Sequence, residues 1–355
     1  MKDKHDYTEK TIFVGIDVHK KTYSVAIVCD KAIVKRDTLH AIPQVLSSYL
    51  KKHFTGAKIN SAYEAGFSGF GLHRHLVEYG IKNIVVHAAS VEVGARDKVK
   101  NDKRDALKIA VQLEAGRLRG IFIPSHEMED RRELTRLRST FVQDRNRIAT
   151  RFKHKAHYYG LVGPDDSEKV SVKWIEKILS KDVAPGLQYT ITALAKEWCG
   201  MNVKIKELEA ILQEQAKEDE GVELIYRSVK GIGKTAARIL ANELGDMSQF
   251  PSERDLFSYT GLTPSEYSSG EHTRKGHISR QGKPILRSTL VQCAWVAIRY
   301  DKGLKEIFER ISKRAGAKRA IVAIARKLIG RIRSCFRTGE VYRSQEETSQ
   351  VMTVA

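Results

Sequence analysis

A chain of 355 residues, 41% hydrophobic and 30% charged, can hold two or three folded domains and is not composed like a disordered protein. Its formal net charge of +19 is more than a small acidic substrate needs and favours a polyanionic partner, without bearing on the fold. No apolar run is long enough to cross a bilayer; ILRSTLVQCAWVAI comes closest and carries Arg287.

Residues 1–123 read as an α/β domain. TIFVGID and YSVAIV are short apolar strands joined by a turn at HKKT, a hairpin candidate. AIPQVLSSYLKKH has helical spacing, KINSAYEA is a further strand, GFGLHRHLVEYG a helix closed by Gly80, and IKNIVVH another strand. RDALKIAVQLEAG is an amphipathic helix. Pro124 marks a boundary, and residues 124–220 read as helical. Between Asp130 and His157, Leu134, Leu137, Phe141, Ile148 and Phe152 share one side, and Arg and Lys dominate the remainder. After a break at GPDD, Leu187, Ile191, Leu194, Trp198, Met201, Ile205, Leu208 and Leu212 form a heptad seam interrupted by Gly200. Such a seam suits a coiled coil or dimer contact; it also suits one long helix lying on the protein's own core. Residues 221–345 read as a second compact, mainly helical domain, and 346–355 as a polar tail.

The opening segment MKDKHDYTEK lacks the apolar core of a signal peptide. Cys29, Cys199, Cys293 and Cys335 are not at metal-ligand spacing, which suits unpaired thiols in a reducing, cytoplasmic compartment. Charge is concentrated late in the chain. From Gly270 to Arg343 there are nineteen Lys and Arg against five acids, the footprint of a nucleic-acid partner.

Four carboxylates carry the chemistry. Asp17 ends the apolar run FVGI, and Glu64 ends the run SAY. Asp102 and Asp105 stand three apart at the start of a helix and share a face. Strand-end and helix-start acids can converge above a sheet edge, where they repel unless a cation lies between them. Mg²⁺ or Mn²⁺ suits all-oxygen ligands, and two such ions roughly 3.5–4 Å apart can polarise a phosphate and activate a hydroxyl. Structural roles stand beside this: Asp102 as a plain N-cap, Asp105 as a first-turn acid favoured by the helix dipole. Lys103 and Arg104, between the acids, could hold a phosphate backbone. His19, beside Asp17, could assist it.

VKGIGKTAARIL places Lys230 and Lys234 around a Gly-Ile-Gly turn before a helix. It resembles the hairpin of a helix-hairpin-helix element, whose backbone N–H groups face a phosphate, and equally a plain tight turn; it is no nucleotide P-loop. YTGLTPSEYSSGEHTRKGHISRQGKPILRSTL reads as a basic, hydroxyl-rich loop. Its Arg274, Lys275, Arg280, Lys283 and Arg287 can meet phosphates. Ser269 precedes a glycine, which allows close approach, but its hydroxyl needs a base or metal to act as a nucleophile.

VGIDVHK, YEAGFSG and NDKRDA, followed by VKGIGKTAARILANELGD, FSYTGLTPSEYSSG and GHISRQGKPILRSTLVQCAW, resemble, in order and spacing, the blocks of the IS110/IS1111-type transposases, the DEDD recombinases of bacterial insertion sequences. The likeness extends over nearly the whole chain. It departs at GFSG, where proline commonly precedes the final Ser-Gly, and at SRQG, where Lys-Arg-Gly is commoner. The resemblance implies a RuvC-like domain of RNase H fold with Asp17, Glu64, Asp102 and Asp105 as catalytic acids holding Mg²⁺, or Mn²⁺. It places the catalytic serine at Ser269, with Ser268 as the alternative register. It further implies a covalent 5′-phosphoserine intermediate, donor and target duplex DNA as substrates, and a structured non-coding bridge RNA as guide. The implied assembly is a homodimer building to a homotetramer, in the bacterial cytoplasm at the nucleoid. Two other readings fit the residues alone: a junction-resolving nuclease that uses the acids with water, and a non-catalytic nucleic-acid binder.

Overall fold

The computed structural model describes residues 7–92, 102–166, 169–269, 272–279 and 281–344; the side chains of residues 102–103, 266–269 and 272–275 lie outside the description. The chain forms two compact units, Met1–Ile123 and Pro124–Ala355.

The first unit contains β1 (Thr11–Val18), β2 (Thr22–Cys29), β3 (Ala32–His40), α1 (Pro43–His53), β4 (Lys58–Glu64), α2 (Gly71–Glu78), β5 (Lys82–Val86) and α3 (Asp102–Glu114). The strands make one mixed sheet in the order β3-β2-β1-β4-β5. The first three are antiparallel neighbours, whereas β4 is parallel to both β1 and β5. Parallel pairs need crossovers, and α1 and α2 lie in those connections. On one face, Ile12, Val14 and Ile16 of β1 pack with Leu46 and Leu50 of α1 and Leu72 and Leu76 of α2. The centre of the other face is built of small residues. Gly15 pairs with Ala26 of β2 on one side and Ala62 of β4 on the other. Ala106, Ile109 and Ala110 of α3 settle on this face.

Gly15 sets the depth of that contact. A Cβ there would run into the Ala106 carbonyl oxygen and stand 2.5 Å from the Ala110 amide nitrogen. The direction of α3 follows from its far end, where Glu114 accepts a 2.8 Å hydrogen bond from the Lys31 amide between β2 and β3. That turn lies at the N-terminal end of β1. The first turn of α3 is therefore carried to the C-terminal ends of β1 and β4.

The second unit contains α4 (His126–Tyr158), α5 (Val172–Leu179), α6 (Pro185–Glu218), α7 (Glu220–Arg227), α8 (Lys234–Leu244), α9 (Glu253–Thr260), β6 (Pro264–Ser269), β7 (His272–Ile278), α10 (Pro284–Ala297), α11 (Lys302–Ala315) and α12 (Ala317–Thr338). Helix α6 runs unbroken through Gly200 and packs along α4. Leu187, Ile191, Leu194 and Trp198 of the heptad seam pack with Phe152 and Ala156 of α4 and Trp174 and Ile178 of α5. This half of the seam is thus filled from within the chain. The apolar side expected for α4 needs one correction: Leu137 is exposed, whereas Arg132 is buried. Arg132 donates to the carbonyl oxygens of Asn242 (3.1 Å) and Glu243 (3.0 Å), satisfying the end of α8.

Glu243 is fully buried, and Arg136 grips it from α4 through Nε (2.8 Å) and Nη2 (3.2 Å). Removing the Glu243 charge leaves Arg136 only its exposed partner Glu133 (3.3 Å) and an uncharged buried group at the end of α8. Glu243→Gln is expected to lower stability by about 3 kcal/mol, measured as a drop in denaturation midpoint at unchanged slope.

The stretch around Ser269 was expected as a loop, but Pro264–Ser269 and His272–Ile278 form an antiparallel two-stranded ribbon, in which Ser269 pairs with His272 and Ser268 with Thr273. The sequence is polar on both faces, so no apolar alternation marks the strands. At its base the Ser279 amide donates to the Thr263 carbonyl (2.9 Å), and Ser265 Oγ to the His277 carbonyl (2.8 Å). Below that, Gly282 lies against Gly261 so closely that a Cβ at Gly282 would overlap the Gly261 nitrogen.

Candidate active site and nucleic-acid surfaces

In the first unit the sheet register brings the strand-end acids side by side. Ile16 pairs with Tyr63 in the parallel ladder, so the next step sets Asp17 beside Glu64, with Ser24 opposite Asp17 on β2. Adjacent strands lie about 4.8 Å apart. This row is two residues beyond the Ala26–Gly15–Ala62 row, about 6.6 Å along the strands, and on the same face. Asp105 immediately precedes Ala106, whose carbonyl touches Gly15. The first turn of α3 therefore overhangs the Asp17–Glu64 row. Asp102 is the first residue of α3, and its side chain lies outside the description, as does that of Lys103.

His19 and Lys108 stand beside two of these acids. His19 Nε2 is 3.1 Å from Asp17 Oδ2, and Lys108 Nζ is 3.2 Å from Asp105 Oδ1. Lys108 follows Asp105 by one helical turn, which puts its cation on the same face. Among the described residues no three His, Cys, Asp or Glu side chains meet tightly enough to hold an ion by themselves. The donor set of Asp17, Glu64 and Asp105 is all carboxylate oxygen, the chemistry that Mg²⁺ and Mn²⁺ accept. One signal for the convergence stood in the sequence without being read: each strand-end acid follows a small residue by two, as Gly15-x-Asp17 and Ala62-x-Glu64.

In the second unit, Ser269 is the last residue of β6 and Ser268 precedes it. The side chains of Arg274 and Lys275 on β7 lie outside the description, as does Arg280. The Val229–Gly233 turn joins α7 to α8. Gly231 adopts φ +124°, and a Cβ there would stand 2.8 Å from the Ala297 nitrogen of α10. Lys230 is exposed in this turn, and Lys234 is the exposed first residue of α8. Arg104 is likewise exposed. Arg287 braces the glycine crossing, donating from Nη1 to the Gly282 carbonyl at 2.7 Å.

Lys283 stands at the start of α10 near the Arg136–Glu243 pair. The residue as a whole is exposed, yet desolvation lowers its ammonium from the usual lysine range. Arg136 adds to the lowering, Glu243 opposes it, and Arg132 again lowers it. A lysine whose folded pKa lies below its unfolded one weakens the fold while charged, and the penalty fades as pH rises through the folded pKa. Lys283→Met is therefore expected to hold or raise the thermal midpoint at pH 7. That advantage should shrink toward about pH 10.5, where the unfolded lysine also loses its proton. Melts at the two pH values check the sign. By contrast, burial pushes the Cys293 thiol up to about 11, which leaves it inert at neutral pH.

No helix among the described residues is long and apolar enough to cross a membrane.

Known proteins share both units. The family model described as a transposase of the IS110 DEDD type matches residues 14–156, which include the acids. A second, described as "Transposase IS116/IS110/IS902 family", matches residues 224–309, which include the ribbon. Together they cover more than half of the chain. A putative transposase, y4qE, of Sinorhizobium fredii is 27% identical over 82% of this chain and 72% of its own length. The transposase for insertion sequence element IS1533 of Leptospira borgpetersenii is 26% identical over 93% of this chain and 96% of its own. That for IS1111A of Coxiella burnetii is 27% identical over 69% and 68%. With the acid-bearing sheet and the serine-bearing ribbon each inside a matched segment, the chain belongs to the IS116/IS110/IS902 (IS110/IS1111) transposase family and is an enzyme of DNA recombination.

Proposed function

We propose that this transposase cuts and rejoins DNA strands through a covalent 5′-phosphoserine formed by Ser269. The observation that carries the reading is the parallel register of β1 and β4, whose last pair, Ile16 with Tyr63, puts Asp17 and Glu64 at neighbouring strand ends beneath the first turn of α3. A mixed sheet in the order β3-β2-β1-β4-β5 with acids at that edge supports assigning residues 1–123 to a RuvC-like domain of RNase H fold. The α7–turn–α8 segment supports a helix-hairpin-helix-like role, with Lys230 and Lys234 on DNA phosphates. Residues 124–220 serve as the helical assembly region and 221–345 as the serine-bearing domain.

Asp17, Glu64, Asp102 and Asp105 would hold Mg²⁺, or Mn²⁺. Bound there, the ion supplies charge neutralisation at the phosphate and lowers the barrier to an attacking oxygen. His19 orients Asp17 by its hydrogen bond. Ser269 Oγ attacks phosphorus, its proton passing to a carboxylate of the acidic set, and the bond from phosphorus to the 3′ oxygen breaks. The 3′ oxygen takes up a proton and leaves as a hydroxyl, and the 5′ phosphate stays on the serine. Attack by the 3′-hydroxyl of another strand reverses the step, so bond energy is kept and no nucleotide triphosphate is needed. Acids and serine act together in a homodimer or homotetramer. A structured bridge RNA pairs with donor and target DNA and sets the sequences joined. Lys103, Arg104, Arg274, Lys275, Arg280, Lys283 and Arg287 contact the backbones of these nucleic acids.

Strand exchange with purified protein, Mg²⁺, the element's RNA and donor and target duplexes tests the reading. Exchange is expected to vanish in Ser269→Ala. A hydrolytic nuclease acting through the acids and water would cleave equally well without that hydroxyl, and that result would replace the reading.

A further inference from the structure

A groove of about 1310 Å³ runs between α12, α9 and the base of the serine-bearing ribbon. It is larger than the roughly 300–1,000 Å³ of most small-molecule sites. Phe257, Leu262, Ile278 and Val322 contribute its apolar floor. Along one wall α12 presents Lys318, Arg319, Arg326 and Lys327, against a single acid, Glu253, in the lining. Lys318, Arg319 and Lys327 are exposed and have no hydrogen bond or ion pair to the described residues. Arg326 instead stacks on the Phe257 ring, 4.4 Å from its centroid. Cations left unpaired beside apolar surface are poor partners for one another and good ones for an anionic chain whose sugars are apolar.

The start of α12 makes the same point. Its first turn holds Lys318 and Arg319, no acid, and no capping side chain. Cations there oppose the helix dipole. The arrangement becomes favourable once a negative group enters the groove that Gly316 and Ala317 border.

We infer that this groove holds the backbone of the DNA strand that continues past the scissile phosphate, with Arg319 and Lys327, about 12 Å apart along α12, on two phosphates of that strand. DNA is the occupant because the groove opens directly onto Pro264, His277 and Ile278, at the base of the ribbon that ends in Ser269. The inference rests on the reading of that ribbon as the cleaving element.

Binding of a fluorescein-labelled 30-base-pair DNA duplex, and of an RNA of equal length, tests it across a salt series. The full chain carries Ser269→Ala, so that binding is read without cleavage. Each lost phosphate contact lowers the slope of log K against log salt by about 0.9. Arg319→Gln with Lys327→Gln is therefore expected to reduce the DNA slope by nearly 2 and to weaken binding roughly tenfold at 0.15 M salt. Lys173→Gln with Lys206→Gln removes the same charge from α5 and α6 and should leave the slope unchanged. Ala323→Glu sets an acid in the groove and should weaken DNA binding at least as much, with unaltered circular dichroism. An unchanged slope, an equal loss in the control pair, or a loss confined to RNA would overturn the groove assignment. None of these results touches serine chemistry, which is read in protein that retains Ser269.

Discussion

Asp17→Asn is expected to slow DNA cleavage by about 10³- to 10⁴-fold, some 4–5.5 kcal/mol at the transition state, and to leave folding and DNA binding intact. The substitution keeps the shape of the side chain and removes one charge from the Asp17–Glu64 row. Asparagine keeps an oxygen acceptor but is a weaker ligand and no longer a base. Neighbouring carboxylates repel, so the midpoint of thermal unfolding in chelator should hold or rise. Single-turnover cleavage beside a melt separates the two effects. A cleavage loss accompanied by a falling midpoint would mean that Asp17 is structural.

The second large effect is on the sheet itself. Gly15→Val forces a side chain into the backbone of α3 at Ala106 and Ala110. Neither partner is the movable end of a side chain, so relief requires α3 to lift from the sheet. The expected cost is about 3 kcal/mol or more, at the upper end of overpacking. Because α3 carries Asp102 and Asp105, cleavage should fail even below the melting transition. Gly71→Ala is the matched control: nothing lies within 4 Å of its Cβ position at the start of α2. That change should be neutral or slightly stabilising. Equal destabilisation by both substitutions would remove Gly15 from its place under α3.

The strand-end positions of Asp17 and Glu64 were legible because each stands where an apolar run stops. Asp17 follows FVGI and Glu64 follows SAY, and a strand that leaves the core at a charge announces its end. Gly80 likewise marked the end of the second helix, and it adopts φ +79° after α2. What was not legible depends on pairing between distant residues. The Ala26–Gly15–Ala62 row exists only once β1 is placed between β2 and β4, and no local pattern gives that register. The β3 segment AIVKRDTLH is an edge strand with Lys35, Arg36 and Asp37 in its middle, and carries no clear alternation. Arg132 looked like one more surface cation of α4. Its burial is set by carbonyl groups some 110 residues further along the chain, at the end of α8. The ribbon around Ser269 was hidden for a related reason: backbone hydrogen bonds define it, and its polar side chains do not.

The most direct measurement is to trap the intermediate. Protein, Mg²⁺, the element's RNA and end-labelled donor and target DNA are mixed, denatured, and resolved for label that travels with the polypeptide. A covalent adduct that is lost in Ser269→Ala and kept in Ser268→Ala is the predicted result. Cleaved DNA free of protein, formed equally by Ser269→Ala, would contradict the account and identify water as the nucleophile.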